Sequence, residues 1–312
     1  MRKTPLKVQV MEKKLSIPIC MVLLIILSNS FSGSIPIVKA YDYDYGCASN
    51  LYTTNWLQYE DNAYWTSLAL SQIEELFAQQ KVYHWMPGYG WVLLGNIYGE
   101  VINWGSTTTS SIVLDRIDHD ISEHYYFFTA LYIGHGTTQG FYGHSDDPEN
   151  PTNYPDLILY DDIEDHTQAS PDHRFAFMWV CSGGDNCPQG SPSAWNPLYW
   201  SDQSTYGPYV WIGFDRASPW LIEHMNANNI YKYWLVFFYY YALHFNGYSV
   251  SQALDYASQE TGFLNYELSI LNDLIWTWWP YSPQGPKYFN GTMHVAGDLS
   301  MCIPHTIGIG AP

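Results

Sequence analysis

The chain has 312 residues, and its 12 Lys and Arg against 30 Asp and Glu give a formal net charge of −18. An acidic surface of this kind repels nucleic acids and anionic lipids, so we set aside a nucleic-acid-binding function. The length is sufficient to bury a substantial core in one large domain or two small ones.

Residues 1–40 have the pattern of a signal peptide. A basic start precedes an apolar stretch from Ile17 to Leu27, and the small residue Ala40 ends the segment. The apolar stretch is too short to favour a membrane span, and no second run of about 20 apolar residues follows. We therefore expect cleavage before Tyr41, a secreted or cell-surface protein, and no stable membrane insertion after cleavage.

The first half of the remaining chain contains two predicted helices and one buried strand. Apolar residues recur at helical spacing over 63–78 and again over 110–120, which predicts two amphipathic helices. Between them, residues 91–99 predict a strand or turn region. The segment 125–136 (YYFFTALYIGHG) is almost continuously apolar and ends on glycine, which is typical of a strand buried on both faces.

The second half begins with residues 157–166 (LILYDDIEDH), where we expect a helix, and continues into a second buried strand, 174–184 (RFAFMWVCSGG). Residues 182–207 are rich in Gly, Ser and Pro and predict a long functional or disordered loop. A third buried strand is predicted at 208–214, followed by a buried helix over 230–245 that Gly247 closes.

Ser249 and Gln252 match a capping box, which predicts the start of a further helix. Beyond Pro280 the pattern weakens into a Pro- and Gly-rich tail with a glycosylation-type sequon at Asn290-Gly291-Thr292. We expect one domain over 41–280 and a C-terminal extension over 281–312, to which the sequence assigns no role.

Alternating helices and buried strands predict an α/β fold, in which a mostly parallel sheet is covered by helices on both faces. In such a sheet, functional groups lie where the strands end at the carboxyl edge. The two most apolar strands end in His135-Gly136 and in Cys181-Ser182-Gly183-Gly184. We therefore expect His135 and Cys181 to lie near each other.

A thiol and an imidazole at one edge can perform acyl transfer. The thiolate of Cys181 is a nucleophile that forms an acyl intermediate, and the imidazole of His135 can protonate the departing amine. The glycine after His135 lets a backbone N–H group approach the developing oxyanion. We predict that the backbone N–H groups of Gly136 and Cys181 form this oxyanion hole.

The segments FTALYIGHG and FAFMWVCSGG resemble the paired motifs of the caspase-like superfamily of cysteine peptidases, which includes caspases, legumain, clostripain and the gingipains. The resemblance covers about residues 60–262. It implies a caspase-like three-layer sandwich with His135 as the catalytic imidazole and Cys181 as the nucleophile. It further implies a polypeptide substrate and no required cofactor or third catalytic residue.

The flanking residues depart from the family pattern. Val180 and Ser182 stand where caspases carry Ala and Arg or Gln, and where legumain carries an acidic residue after the cysteine. The family's substrate preference is therefore not transferable. Asp146, Asp147 and Asp185 lie near the motifs and would favour basic substrates, but the sequence does not select one of them.

The cysteines leave a competing hypothesis open. A disulfide between Cys181 and Cys187 would leave Cys47 to pair with Cys302, an arrangement that suits an exported protein. Such a disulfide would remove the nucleophile. The chain would then be a catalytically inactive extracellular protein of the same fold, which binds a glycan or a protein partner through its aromatic and acidic surface.

Two metal-dependent alternatives to a cysteine peptidase have less specific sequence patterns. Five histidines suggest a zinc-dependent hydrolase, but their spacing matches no zinc template, so we interpret them as surface residues: His119, His124, His144, His166 and His173. The Asp-rich runs DYDY, SDDPEN and YDDIED lack the spacing of an EF-hand. We interpret these runs as solvated loops, with calcium binding left as an alternative.

Overall fold

A computed structural model describes residues 46–54, 60–144, 156–185, 190–223, 230–263, 275–279 and 287–309. These ranges all belong to one unit, Tyr41–Pro312. The predicted signal peptide and the acidic runs DYDY and SDDPEN lie outside the described residues.

Single strands or groups of strands alternate with single helices or groups of helices in the described residues. The strands are β1 (Cys47–Thr53), β2 (Lys81–Met86), β3 (Gly90–Asn96), β4 (Tyr98–Gly105), β5 (Phe127–Ile133), β6 (Gly140–Tyr142), β7 (Leu157–Leu159), β8 (His173–Trp179), β9 (Val210–Arg216), β10 (Ile275–Trp279), β11 (Lys287–Gly297) and β12 (Ile307–Ile309). The helices are α1 (Glu60–Ala78), α2 (Ser110–Ser122), α3 (Tyr160–Thr167), α4 (Ser191–Trp195), α5 (Pro197–Ser201), α6 (Gln203–Tyr206), α7 (Tyr231–Ala242) and α8 (Val250–Glu260).

Seven of these strands form the central sheet in the order β10-β11-β9-β8-β5-β1-β4. The five strands from β9 to β4 are parallel, whereas β11 runs antiparallel to both β9 and β10. The expected α/β fold with a mostly parallel sheet is therefore confirmed. The tail without an assigned role contributes β11, which pairs with β9 over seven positions from Gly291 to Gly297.

Helices cover both faces of this sheet. Successive side chains of a strand point to opposite faces, so a strand such as β8 contributes to two separate cores. On β8, Phe177 and Trp179 belong to the same apolar core as Trp234 and Phe238 of α7. The intervening Met178 belongs to a second core on the other face, which α2, α3 and α4 cover. The two cores make the molecule an α/β sandwich.

The expectation of a long loop over 182–207 is wrong in its second half. Three short helices, α4, α5 and α6, occupy residues 191–206. Trp195 and Tyr199 are buried in the core, and the side chain of Asn196 accepts a hydrogen bond from Tyr199 N–H at 3.0 Å at the start of α5. Buried aromatic side chains and local caps therefore order a segment whose composition is typical of loops.

Three other local expectations need correction. The acidic run YDDIED lies in α3 rather than in a solvated loop, because Tyr160 and Ile163 are buried on one side of that helix. The preceding residues form β7 and not the start of the helix. Gly247 has the expected positive φ of +68°, but α7 already ends at Ala242.

Three further features concern a helix cap, a second sheet and the lengths of the helices. The capping box of Ser249 and Gln252 is confirmed, since each residue's side chain bonds the backbone N–H of the other. A separate three-stranded sheet has the order β12-β2-β3. Within the described ranges, no helix combines the length and apolar character needed to cross a membrane.

Candidate active site

The predicted site residues His135 and Cys181 follow two neighbouring strands. β5 and β8 are parallel, with Ile133 opposite Trp179 at their ends, and Gly134 N–H donates to Trp179 O at 3.1 Å. The segments that follow β5 and β8 therefore leave the sheet at the same carboxyl edge. The structure brings His135 and Cys181 together, since both line one cavity there.

Gly136 allows the two strand ends to approach closely. A Cβ atom at this position would lie 2.8 Å from Val180 Cβ and 3.0 Å from Cys181 O, which no larger residue tolerates without a shift. Gly136 forms an isolated bridge with Phe141. The bridge uses Tyr142 N–H to His135 O and Thr137 N–H to Gly140 O, so neither hydrogen bond uses the Gly136 N–H.

The turn after Cys181 is held against β9 in a strained conformation. Ser182 has a φ of +60°, a left-handed conformation that costs a residue other than glycine about 1 kcal/mol. Its N–H donates to Arg216 O at 2.6 Å, and Gly184 N–H donates to Phe214 O at 2.9 Å. These bonds fix the backbone on which Cys181 is presented, and strain of this kind is common at functional sites.

The Cys181 thiol is free and partly buried. Burial raises its pKa, while hydrogen bonds from Ser218 lower it and the charges of Asp185 and Glu223 raise it further. The backbone N–H of Ser218 lies 3.4 Å from Cys181 Sγ, and the Ser218 hydroxyl lies 3.7 Å from it. The net direction opposes a preformed thiolate, so deprotonation needs a base.

The two-disulfide arrangement considered from the sequence is not present. Cys181 and Cys302 are both free thiols. Cys187 lies outside the described residues. Cys47 is buried in β1, whereas Cys302 is exposed. The thiol at the end of β8 is therefore available for the predicted chemistry.

The cavity at this edge is partly open to solvent. Its described polar lining consists of His135, Cys181, Asn62 and Ser218. The rest of the described lining is mainly apolar and is supplied by β5, β8 and the segment after β9: Ile133, Trp179, Pro219, Trp220 and Leu221. The cavity combines a thiol and an imidazole with a mainly apolar lining.

The sequence did not indicate Asn62 and Ser218 as site residues, although each has a detectable signal. Asn62 lies on α1 at helical spacing from the buried Thr66, Ala69 and Ile73, so it is a polar residue on an inward face. Ser218 comes soon after β9, the neighbour of β8 in the sheet. The reasoning that places His135 at the carboxyl edge also places Ser218 there.

The acidic residues considered for substrate selection do not line the described cavity. Asp185 accepts a hydrogen bond from Arg216 N–H at 2.6 Å. Asp146 and Asp147 lie outside the described residues. The hypothesis of a basic substrate therefore has no support from the described residues.

The five histidines of the zinc hypothesis are not gathered into a site. In the described ranges, no group of three or more His, Cys, Asp or Glu side chains is arranged to hold a metal ion. His166 Nδ1 lies 2.8 Å from Asp118 Oδ1, and burial lowers the pKa of His173 to about 3. The interpretation of all five as surface residues is therefore wrong for His173, which is buried.

Comparisons with known proteins add no family assignment. No family model matches the chain, and a search of curated proteins found no significant match. The fold and the cavity thus define the class: an α/β protein with a mostly parallel sheet and a thiol and an imidazole lining one cavity at its carboxyl edge.

Proposed function

We propose that the chain is an exported cysteine endopeptidase of caspase-like fold, with Cys181 as nucleophile and His135 as acid and base. The observation that carries the proposal is that both residues line one cavity at the carboxyl edge of adjacent parallel strands. The resemblance of both strand-end motifs to the caspase-like superfamily supports the same assignment.

In the proposed reaction, Cys181 Sγ attacks the carbonyl carbon of a peptide bond while His135 accepts the thiol proton. The oxyanion that forms accepts hydrogen bonds from Gly136 N–H and Cys181 N–H. Cleavage of the carbon–nitrogen bond releases an amine, to which the His135 imidazolium gives its proton. A water molecule deprotonated by His135 then hydrolyses the thioester and restores the thiol.

The raised pKa of Cys181 determines how the first step occurs. A buried thiol that is neutral near pH 7 must lose its proton as the sulfur attacks, so the base is needed in the acylation step. The Ser218 N–H, 3.4 Å from the sulfur, stabilises the developing thiolate. Replacement of His135 is therefore expected to abolish acylation as well as deacylation.

The experiment compares wild type, Cys181→Ala and His135→Ala on a mixed peptide library, with cleavage products identified by mass spectrometry. We expect hydrolysis by wild type and none by either variant. Cys302→Ala is the matched control, because Cys302 is an exposed free thiol outside this cavity. Hydrolysis that persists in Cys181→Ala would refute the proposal, and a wild type without activity favours the binding-protein alternative.

Chelation tests the absence of a required metal. We expect peptide hydrolysis to be unchanged by excess EDTA, since neither the thiol nor the imidazole needs a metal for this mechanism. Loss of activity with EDTA and recovery with Zn²⁺ would favour the zinc-dependent hydrolase instead. Recovery with Ca²⁺ alone would indicate a calcium requirement of the chain.

A further inference from the structure

Asn62 is a buried amide that lines the cavity of His135 and Cys181. The residue is 7 % exposed, and its Oδ1 atom has no hydrogen-bond partner among the described residues. Several other buried polar atoms share this property. Of the described residues that carry such atoms, only Asn62 lines the cavity of His135 and Cys181.

An amide oxygen without a partner destabilises the folded protein, so its presence needs an explanation. The side chain lies on α1, 73 positions before His135 along the chain, and the fold alone places it beside the reacting groups. A ligand that supplies an N–H donor would remove the penalty when it binds. This is the behaviour of a group that recognises substrate.

The apolar residues that line the cavity indicate which group of a ligand donates a hydrogen bond to Asn62 Oδ1. Trp179, Leu221 and Ile133 are buried apolar side chains, and no described residue of the lining is acidic or a Lys or Arg. An uncharged, apolar side chain therefore suits this space better than a charged one. The donor of an apolar amino acid residue is its main-chain N–H.

We infer that Asn62 is a substrate-positioning residue: its Oδ1 accepts the main-chain N–H of the residue whose carbonyl Cys181 attacks, and that residue has an apolar side chain. The inference rests on the proposed function and names its substrate class. It excludes proline at that position, because proline has no N–H to donate.

The test measures modification of Cys181 in the full chain by two peptidyl acyloxymethyl ketones. One probe carries acetyl-alanyl-leucine and the other the same peptide with the leucine nitrogen methylated. Second-order rate constants are read by intact mass and divided by the rate constants of the two probes with free cysteine. Removal of one hydrogen bond is expected to make the methylated probe about tenfold slower on wild type.

The variant Asn62→Leu has nearly the same shape without the acceptor, and we expect it to react equally fast with both probes. Its reaction with iodoacetamide at Cys181 should match wild type, and its melting temperature should be equal or higher because an unpaired buried oxygen is removed. Asn62→Ala repeats the comparison if the leucine variant does not fold. Gln72→Leu is the matched control, because it removes another unpartnered amide oxygen of α1 outside the cavity lining.

A ratio between the two probes that is the same in wild type and in Asn62→Leu overturns the inference, as does a failure of both probes to modify Cys181. A lower melting temperature with both rates reduced in proportion assigns Asn62 a purely structural role. Replacing leucine by arginine or aspartate in the probe should slow the reaction, and faster labelling by either overturns the assigned substrate class. Labelling requires no turnover, so these results are independent of whether the wild type hydrolyses peptides.

Discussion

Two buried polar regions of this molecule differ in their charged groups and in whether they line a cavity. On the face of the sheet covered by α2, Arg116 forms ion pairs with Asp120 and Glu100, and Asn50 Nδ2 donates to Asp120 Oδ2 at 2.7 Å. In the cavity at the carboxyl edge, Asn62 Oδ1 has no such partner among the described residues. The first region pairs opposite charges within the protein, although Asn50 Oδ1 and Arg116 Nε there also lack a hydrogen-bond partner. Asn62 differs from these residues because it lines a cavity that a ligand can enter.

A buried structural group and a buried functional group differ in what their polar atoms interact with. Opposite charges that face each other in the interior fix one arrangement of the chain, and removing one partner leaves the other uncompensated. Polar atoms that line a cavity are satisfied by what enters it. Changes in the Arg116 region should therefore alter stability, and changes in the cavity should alter reactivity.

Asp120→Ala should lower the stability of the fold more than the other variants considered. Asp120 is fully buried beside Arg116, so its removal should lower the free energy of unfolding by about 3 kcal/mol. Denaturation in guanidinium chloride measures this loss, and activity per folded molecule should stay unchanged. Asp118→Ala on the same helix is the control, because Asp118 is 59 % exposed and its loss should change stability by less than about 0.5 kcal/mol. Reduced activity in folded Asp120→Ala would show that the Arg116 region also affects the cavity.

The second prediction concerns Gly136→Ala. The added methyl group would lie 2.8 Å from Val180 Cβ, so it should push the end of β5 away from Cys181 and lower the free energy of unfolding by about 2 kcal/mol. Peptide hydrolysis should fall more steeply than stability, by roughly two orders of magnitude, because the Gly136 N–H moves with the backbone.

Gly88→Ala serves as the control for this glycine replacement. Its Cβ would meet no atom within 4 Å, but Gly88 has a φ of +84°, so only the conformational cost applies. A modest loss of stability with full activity is expected there. Equal activity of Gly136→Ala and wild type would show that the close approach of the two strand ends is not needed for the reaction.

The third prediction is a pH dependence that belongs to the Arg116 region. Burial raises the pKa of Asp120 to about 6, although Arg116, Asn50 and His119 lower it and Glu100 raises it. Between pH 6 and pH 4 the folded state binds the proton that the unfolded state does not, so this group stabilises the fold as the pH falls through that window. The slope is at most about 1.4 kcal/mol per pH unit for one proton.

Asp120→Asn isolates this contribution, because the other titrating groups remain in both proteins. The free energy of unfolding of wild type should rise relative to that of Asp120→Asn when the pH is lowered from 7 to 5. Denaturation curves at both values of pH give the difference. A difference that is independent of pH would mean that Asp120 titrates alike in the folded and the unfolded chain.

The sequence predicts the parts of this fold that depend on local patterns. Continuous apolar runs ending on glycine indicate β5 and β8, and parallel pairing then brings His135 and Cys181 to one edge, where their catalytic roles stay predictions. Asn62 reaches that edge from a helix far away along the chain, so its helical spacing indicates an inward face but not its position beside His135. The helices after Gly190 depend on the burial of Trp195 and Tyr199, and composition alone indicated a loop.

Ser182→Gly tests whether backbone strain next to the Cys181 thiol is part of the site, and its effects should be the weakest of this series. Ser182 has a φ of +60°, and glycine adopts this conformation without a steric penalty, so the free energy of unfolding should rise by about 1 kcal/mol and the melting temperature by about 2 °C. A more flexible turn should present Cys181 less well, and peptide hydrolysis should fall by about threefold.

His124→Gly is the matched control, because His124 has the same φ of +60° in a turn after α2, outside the cavity lining. It should gain the same stability with no change in activity. Calorimetry and peptide hydrolysis on both variants separate the two effects. If both variants gain stability and both keep full activity, the strain at Ser182 is incidental. If only Ser182→Gly loses activity, the left-handed residue after Cys181 holds the sulfur in position, and the cavity depends on backbone conformation as well as on its side chains.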